Sequence, residues 1–398
     1  MVGVEFYRKK LGNGMTILFE KRNLPVVAVS ASVRQGSAYE PENKKGISHF
    51  IEHLLFKGTK TRSYKQISEQ IEKKGGVLNA FTGDEVTCCW NKLPSKYFSF
   101  GIDIVRDLIL NPRFDAAEFE KEKKVILEEI KMYHDTPFLF VIDRIKSLLY
   151  KNPFGLSGLG TGKDILQLKR ESIVSYFQKK YTANKMFLCV VGNTKLDEVE
   201  EYAKRFPETN SKADKLATLK INKNLIEKRT GLRQAHLALG FHMPSLHDKK
   251  RYSAEIFNII LAGGMSSRLF EEIREKRSLA YDVRGMLEQG SNFGYQIIYI
   301  GTIKKNVKLC KELILKEIKK LDKLERKDFG QAKEQLIGLR KVESEESINV
   351  MNALINEEIT GDAREFYSYD KRISNVKLED VRKLARINKH SSIFLIPS

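Results

Sequence analysis

The chain of 398 residues carries 70 Lys+Arg against 51 Asp+Glu, a formal charge of +19, with 41% hydrophobic residues, 7 His and 4 Cys. That length suits two or three domains with cores of their own, and the ordinary apolar content argues against a disordered chain. No apolar run reaches the ~20 residues of a membrane helix, no secretory segment opens the sequence, and Cys88, Cys89, Cys189 and Cys310 form no CxxC pair, so a reducing, cytoplasmic setting without a disulfide framework is expected.

In chain order, Leu18–Phe19 and Val26–Val33 alternate as strands around Pro25. Residues 47–56 are apolar at 47, 50, 51, 54 and 55, one buried helical stripe. A second helix, 64–74, is stopped by Gly75-Gly76. Residues 77–90 predict strands about a turn at Thr82-Gly83-Asp84, and helices follow near 97–110, 116–134 and 139–149. The apolar strand 186–191 closes this half, and the polar, aperiodic stretch 207–223 reads as a linker.

The second half repeats the plan. A strand at 236–241 precedes an apolar helix, 252–261, that ends in Gly263-Gly264. Residues 293–302 are β-rich, 307–321 and 325–339 helical, and 378–385 leads to a last strand at 392–396. Aligned as diverged copies, residues 47–58 match 253–264, so Glu255, Asn258 and Ile259 stand where the first half has His49, Glu52 and His53. The expected architecture is α+β, with two homologous domains, 1–213 and 214–398. Each is expected to be a mainly antiparallel sheet with helices covering one face.

The strongest chemical signal is His49-Phe-Ile-Glu-His53. Residues four apart on a helix project about 40° from each other, so both imidazoles reach one ion, and Glu52, about 60° from His49, can touch a water beside it. Two histidines, a carboxylate and an open position are a catalytic zinc arrangement, here in the inverted order H-x-x-E-H. A third ligand is expected from the acidic helix 116–134. Glu122 and Glu129 lie about 20° apart around its axis and share a face with Ile126 and Tyr133; spacing alone leaves Glu128 and Glu129 as alternatives. The other acids of this run pair with their neighbouring lysines as a solvated face. The scattered lysines, interleaved with Glu, read as solvated helix faces, and no aromatic-basic motif points to nucleic acid.

Gly36–Ser63, GSAYEPENKKGISHFIEHLLFKGTKTRS, closely resembles the zinc-site segment of the pitrilysin/insulinase-like metallopeptidases. The half-length branch that includes the mitochondrial processing peptidase and its bacterial relatives is the nearest in pattern. The resemblance continues through Gly75–Thr82 (GGVLNAFT), Val125–Tyr133 (VILEEIKMY) and Asp135-Thr-Pro137, and returns in Gly263–Phe270 (GGMSSRLF) and Arg274–Tyr281 (REKRSLAY).

It implies half of a clamshell fold and a zinc endopeptidase with one zinc per chain, held by His49, His53 and Glu129. Glu122 would support the ligands and Glu52 would be the general base. Arg274 and Tyr281 would grip substrate from the degenerate second domain, and Asn79, Ala80 and Phe81 would form an edge strand that adds an extended peptide by main-chain hydrogen bonds. The implied substrates are short, unstructured peptides in a closed chamber. The implied assembly is a homodimer in which Arg274 and Tyr281 complete the site of the opposite chain, with no nucleic-acid or membrane partner. His134 is placed to touch the ligands' supporting groups. The alternative readings are a non-catalytic or partner-dependent subunit of a processing-peptidase-like complex, and a basic nucleic-acid-binding protein.

Overall fold

The computed structural model describes residues 4–212, 214 and 216–398. Its first elements are β1 (Glu5–Lys10), β2 (Thr16–Lys21), β3 (Val26–Val33), α1 (Ile47–Leu55), α2 (Tyr64–Glu72), β4 (Val77–Thr82) and β5 (Thr87–Pro94). Five helices follow: α3 (Phe98–Leu110), α4 (Ala116–Asp135), α5 (Pro137–Leu149), α6 (Gly162–Gln167) and α7 (Arg170–Lys180). Then come β6 (Met186–Gly192), α8 (Leu196–Lys204), β7 (Asn224–Arg229), β8 (Ala235–His242), α9 (Arg251–Ala262), β9 (Ala280–Gln289) and β10 (Gly294–Thr302). The rest is α10 (Val307–Lys320), α11 (Arg326–Glu343), α12 (Ser347–Ile359), α13 (Tyr369–Ser374), α14 (Leu378–Leu384) and β11 (Ser391–Pro397). No helix of the described residues is long and apolar enough to cross a membrane.

Two sheets carry the fold, one in the order β1-β2-β6-β3-β5-β4 and one in the order β7-β11-β8-β10-β9. In the first, β2 runs parallel to β6 and every other pairing is antiparallel. In the second, β7 runs parallel to β11 and the rest are antiparallel. The two orders coincide strand for strand if β7 stands for β2 and β11 for β6, with β1 as the extra strand of the first. This is the topology expected of diverged copies.

Each sheet is covered on both faces, not on one as the sequence suggested. The first buries Ile17, Phe19, Leu188 and Val190 against α1, α3 and α8. Its other face, with Leu18, Ala28, Cys88 and Cys189, packs on Val350, Met351, Leu354 and Ile355 of α12. Neighbouring Cys88 and Cys89 therefore belong to opposite faces, as alternation requires, and all four cysteines are buried and free. In the second sheet, Leu237, Leu239 and Ile298 meet α9 and α10. The reverse face receives α5, so closely that a Cβ on Gly240 would stand 2.7 Å from Leu149 Cδ1.

The rear helix of each sheet thus comes from the other half of the sequence. Accordingly, the compact units are Met1–Ile130 with Ser157–Leu216 and Glu343–Tyr367, and Lys131–Leu156 with Ala217–Val342 and Ser368–Ser398. This replaces the single break expected between 213 and 214, because burying the second face of each sheet requires an exchange of segments.

Candidate metal centre

The stripe foreseen on α1 is what seats it. Ile47, Phe50, Ile51, Leu54 and Leu55 are all buried, and Phe50 stacks on Phe119 of α4, with ring centroids 4.8 Å apart and planes at 12°. The helix begins at Gly46, whose φ of +84° suits only glycine comfortably and where a Cβ would meet the Leu159 carbonyl oxygen at 2.5 Å. Gly46 has no side chain to cap the helix. Glu40 supplies the cap instead, its carboxylate accepting from the backbone N–H of Gly46 at 3.0 Å and of Ser48 at 2.7 Å. Burial pushes the Glu40 carboxyl up to about 7, against the opposing pull of Lys45 and those amides.

So placed, α1 turns His49 and His53 toward α4, their rings edge to face at 4.6 Å. Along α4 the inward positions are Phe119, Glu122 and Ile126, with Glu129 half-buried one turn further. Glu128 is on the exposed side, so helix phase decides between the two acids that spacing left open. The ligand atoms of His49, His53 and Glu129 all lie within 4.8 Å of one another. Glu129 Oε2 is 3.6 Å from His49 Nε2 and 3.4 Å from His53 Nε2. These separations are long for hydrogen bonds. They match the edges of a tetrahedron around zinc, which bonds of 2.0–2.1 Å set at about 3.3 Å. The donor set therefore fits zinc.

The surrounding groups fix this geometry. Glu122 Oε2 lies 3.0 Å from His53 Nδ1, and its Oε1 accepts from Lys57 Nζ at 2.8 Å. A carboxylate on Nδ1 makes that nitrogen the protonated one and would leave Nε2 for a metal ion. Lys57 follows His53 by four residues and so sits on the same face of the chain as it leaves α1; that spacing was a readable signal which the sequence reading did not use. Glu52 is held by Thr82 at the end of β4, whose hydroxyl donates to Oε2 at 2.6 Å. Nothing in the spacing of residues 49–53 announces this contact, because it depends on strand register.

Protonation follows from these contacts. Burial, then the neighbouring His53, lowers His49 to about 4, outweighing Glu129; its imidazole is neutral near pH 7, the form that ligates metals. Burial opposes charge on His53 as well, but the hydrogen bond to Glu122 and the nearby Glu129 carboxylate carry it up to about 9. Without a metal, a proton on His53 thus supplies the cation these carboxylates require. Glu122 falls below its ordinary value, since His53 and Lys57 outweigh its burial, and Glu129 falls chiefly through His53. Burial raises Glu52 despite the Thr82 hydrogen bond.

The remaining expected site residues are distributed as follows. Asn79, Ala80 and Phe81 lie in β4, the edge strand beside β5, and the Ala80 N–H donates to the Asn79 side chain at 2.8 Å. Arg274 and Tyr281 belong to the second unit and touch each other there. The guanidinium sits 4.4 Å from the centroid of the Tyr281 ring, and that tyrosine, in β9, is 79% exposed. His134, expected beside the ligands' supporting groups, instead pairs with Asp135 at 3.2 Å and receives Arg229 on its carbonyl at 2.6 Å. His236 and His242 are half-buried and bonded to the Tyr299 hydroxyl and the Ile221 carbonyl.

The equivalent positions of the second sheet hold no donor set. Glu255 accepts from the Tyr369 hydroxyl at 2.6 Å, Asn258 from Gln296 at 2.9 Å, and Ile259 is core.

Comparison with known proteins agrees with this division. The family model described as insulinase (peptidase family M16) matches residues 16–162, and that described as the peptidase M16 inactive domain matches residues 167–336. The chain is 32% identical over 382 residues to an uncharacterized zinc protease of Bacillus subtilis, covering 94% of this chain and 93% of that one. It is 35% identical over 340 residues to an uncharacterized zinc protease of Rickettsia felis, covering 83% and 82%. A protease from Helicobacter pylori shares the fold at a TM-score of 0.92 and 20% identity, over 99% of this chain and 100% of that one. With helices that bring the donors together over the first sheet, other residues at the equivalent positions of α9, and relatives that match most of its length, the chain belongs to the insulinase family of peptidases, M16.

Proposed function

We propose that the protein is a zinc-dependent endopeptidase acting on short, unstructured peptides, with one zinc held by His49, His53 and Glu129. The observation that carries this reading is the pair of tetrahedral-edge separations around Glu129 Oε2, 3.4 and 3.6 Å, with a half-buried carboxylate, Glu52, on the helix of the two histidines. A bound zinc supplies Lewis acidity, acidifying water and polarising a carbonyl. Glu52 is the general base: its burial-raised pKa suits it to take a proton from the attacking water and return it to the departing amine. Thr82 fixes one oxygen of Glu52 and thereby aims the other. Glu122 orients His53, and Lys57 keeps Glu122 ionised.

Edge strand β4 receives the substrate as an added strand at Asn79, Ala80 and Phe81, which selects extended backbone over folded structure. The Asn79 side chain must then release the Ala80 N–H. Arg274 and Tyr281 bind substrate, and the working unit is a homodimer in which they serve the partner's zinc site.

The test is cleavage of a mixture of unstructured peptides by the zinc-loaded protein and by Glu52→Gln. The wild type is expected to cleave, and the variant to retain zinc but lose turnover. Cleavage by both removes Glu52 from the mechanism. No cleavage by zinc-loaded wild type replaces this reading with that of a partner-dependent subunit.

A further inference from the structure

The two sheets share a strand plan but differ in what closes one end of it. In the first, the β2–β6 pair is flanked by β1 and roofed by α8, so Ile17 and Phe19 are 0% and 1% exposed beneath Val199, Ala203 and Phe206. In the second, β7 stands in the place of β2. Among the described residues no strand pairs with its outer edge. Ile226 of β7, opposite Phe394 of β11, is left 65% exposed.

The uncovered place is a groove of about 520 Å³ between α10 and the β7–β11 pair. Its floor is apolar, formed by Ile226, Phe394, Val307 and Leu315. Its rim carries Lys304, Lys308 and Lys311, with Glu312 as the one acid in the lining. None of the three lysines has a carboxylate partner among the described residues, and Lys311 lies over the Phe394 ring at 5.4 Å. Three uncompensated cations around an apolar trough favour an occupant that is apolar on one side and anionic on the other.

The fold itself contains such an occupant at the equivalent place. Helix α8, LDEVEEYAK, turns Val199 and Ala203 inward and keeps Asp197, Glu198 and Glu201 exposed, while Glu200 is bridged by Lys9 of the flanking strand at 2.7 Å. We infer that the groove between α10 and β7–β11 docks an acidic amphipathic helix supplied by a partner protein, seated as α8 is seated on the first sheet. Apolar positions at i, i+3, i+4 and i+7 would fill the trough, with carboxylates reaching the three lysines.

The probe is a fluorescein-labelled 18-residue peptide with leucines on one helical face and glutamates on the other. Its control is a scramble of the same composition, and both are titrated against the full chain in its Glu52→Gln form to prevent cleavage. The patterned peptide is expected to raise the anisotropy and the scramble to bind at least tenfold more weakly. Lys308→Glu with Lys311→Glu should weaken binding at least tenfold, and added salt should erode it. Ile226→Ser, which trims the apolar floor at a site 65% exposed without changing the charge, should weaken it as well. Equal binding of the scramble, or no effect of either substitution, overturns the inference. So does binding of phosphatidylglycerol vesicles that the lysine reversals abolish and the peptide does not compete, which would make the groove a lipid-facing surface.

Discussion

Replacing Glu122 by Gln sets two effects on zinc affinity against each other. Glu122 is 4% exposed and holds His53 Nδ1 at 3.0 Å and Lys57 Nζ at 2.8 Å. A neutral amide no longer fixes the ring, and the loss of such an orienting carboxylate costs 10–100-fold in metal affinity, about 1.4–2.7 kcal/mol. Opposing this, the same carboxylate helps hold the His53 proton, with its pKa at about 9, and zinc must displace that proton. Below about 9 the wild-type affinity should therefore climb roughly tenfold per pH unit and then level off. The variant holds the proton less tightly and is penalised less at low pH. Its deficit should thus be widest near pH 9.5 and narrow toward about pH 7. Chelator competition at both values reads the ratio directly, and melting of the metal-free proteins separates binding from stability. A ratio independent of pH, or no deficit near pH 9.5, refutes the reasoning and reduces Glu122 to an anchor for Lys57.

Thr82→Val removes the hydroxyl that stabilises ionised Glu52, so the Glu52 pKa should rise further and the acidic limb of kcat/KM should move to higher pH, with Thr82→Ser restoring it; an unmoved limb would detach Thr82 from the base. Phe50→Ala deletes a fully buried ring stacked on Phe119 and should cost about 3–5 kcal/mol in denaturant unfolding of the metal-free chain. A loss near zero would mean that this stack does not hold α1 to α4. Mixing Glu52→Gln protein with Arg274→Ala protein should restore activity at about a quarter of the sites after random exchange of a twofold dimer. If exchange is demonstrated by labelled subunits and activity stays absent, Arg274 does not act across the dimer.

The parts of the molecule that were legible in the sequence are those set by local periodicity. The α1 stripe, its two histidines four residues apart and the Glu122–Glu129 face all follow from helical geometry, which the structure reproduces. Choosing Glu129 over Glu128 required the phase of α4 against α1, a tertiary quantity. Thr82 reaches Glu52 from a strand end and Glu40 caps α1 from a loop, through backbone paths that no spacing rule encodes. Strand β7 was missed as an element because it is a polar edge with alternating exposure, NLIEKR. Helix α12 escaped notice because its apolar residues, Ile348 and Ala353 included, are spread around the axis and blur the stripe that faces the sheet.

The exchange of rear helices has a consequence for biosynthesis. The sheet that α1 packs on is complete in its strands once Gly192 has been made, yet its reverse face waits for Val350–Ile355. A nascent chain therefore carries a finished layer of strands with one greasy side unshielded while some 150 further residues are translated, at about 5–20 residues per second. For that interval, on the order of ten seconds or more, the growing polypeptide depends on a chaperone or on transient burial of that side. A gene severed at the linker would make the delay permanent, and neither fragment could close its own core.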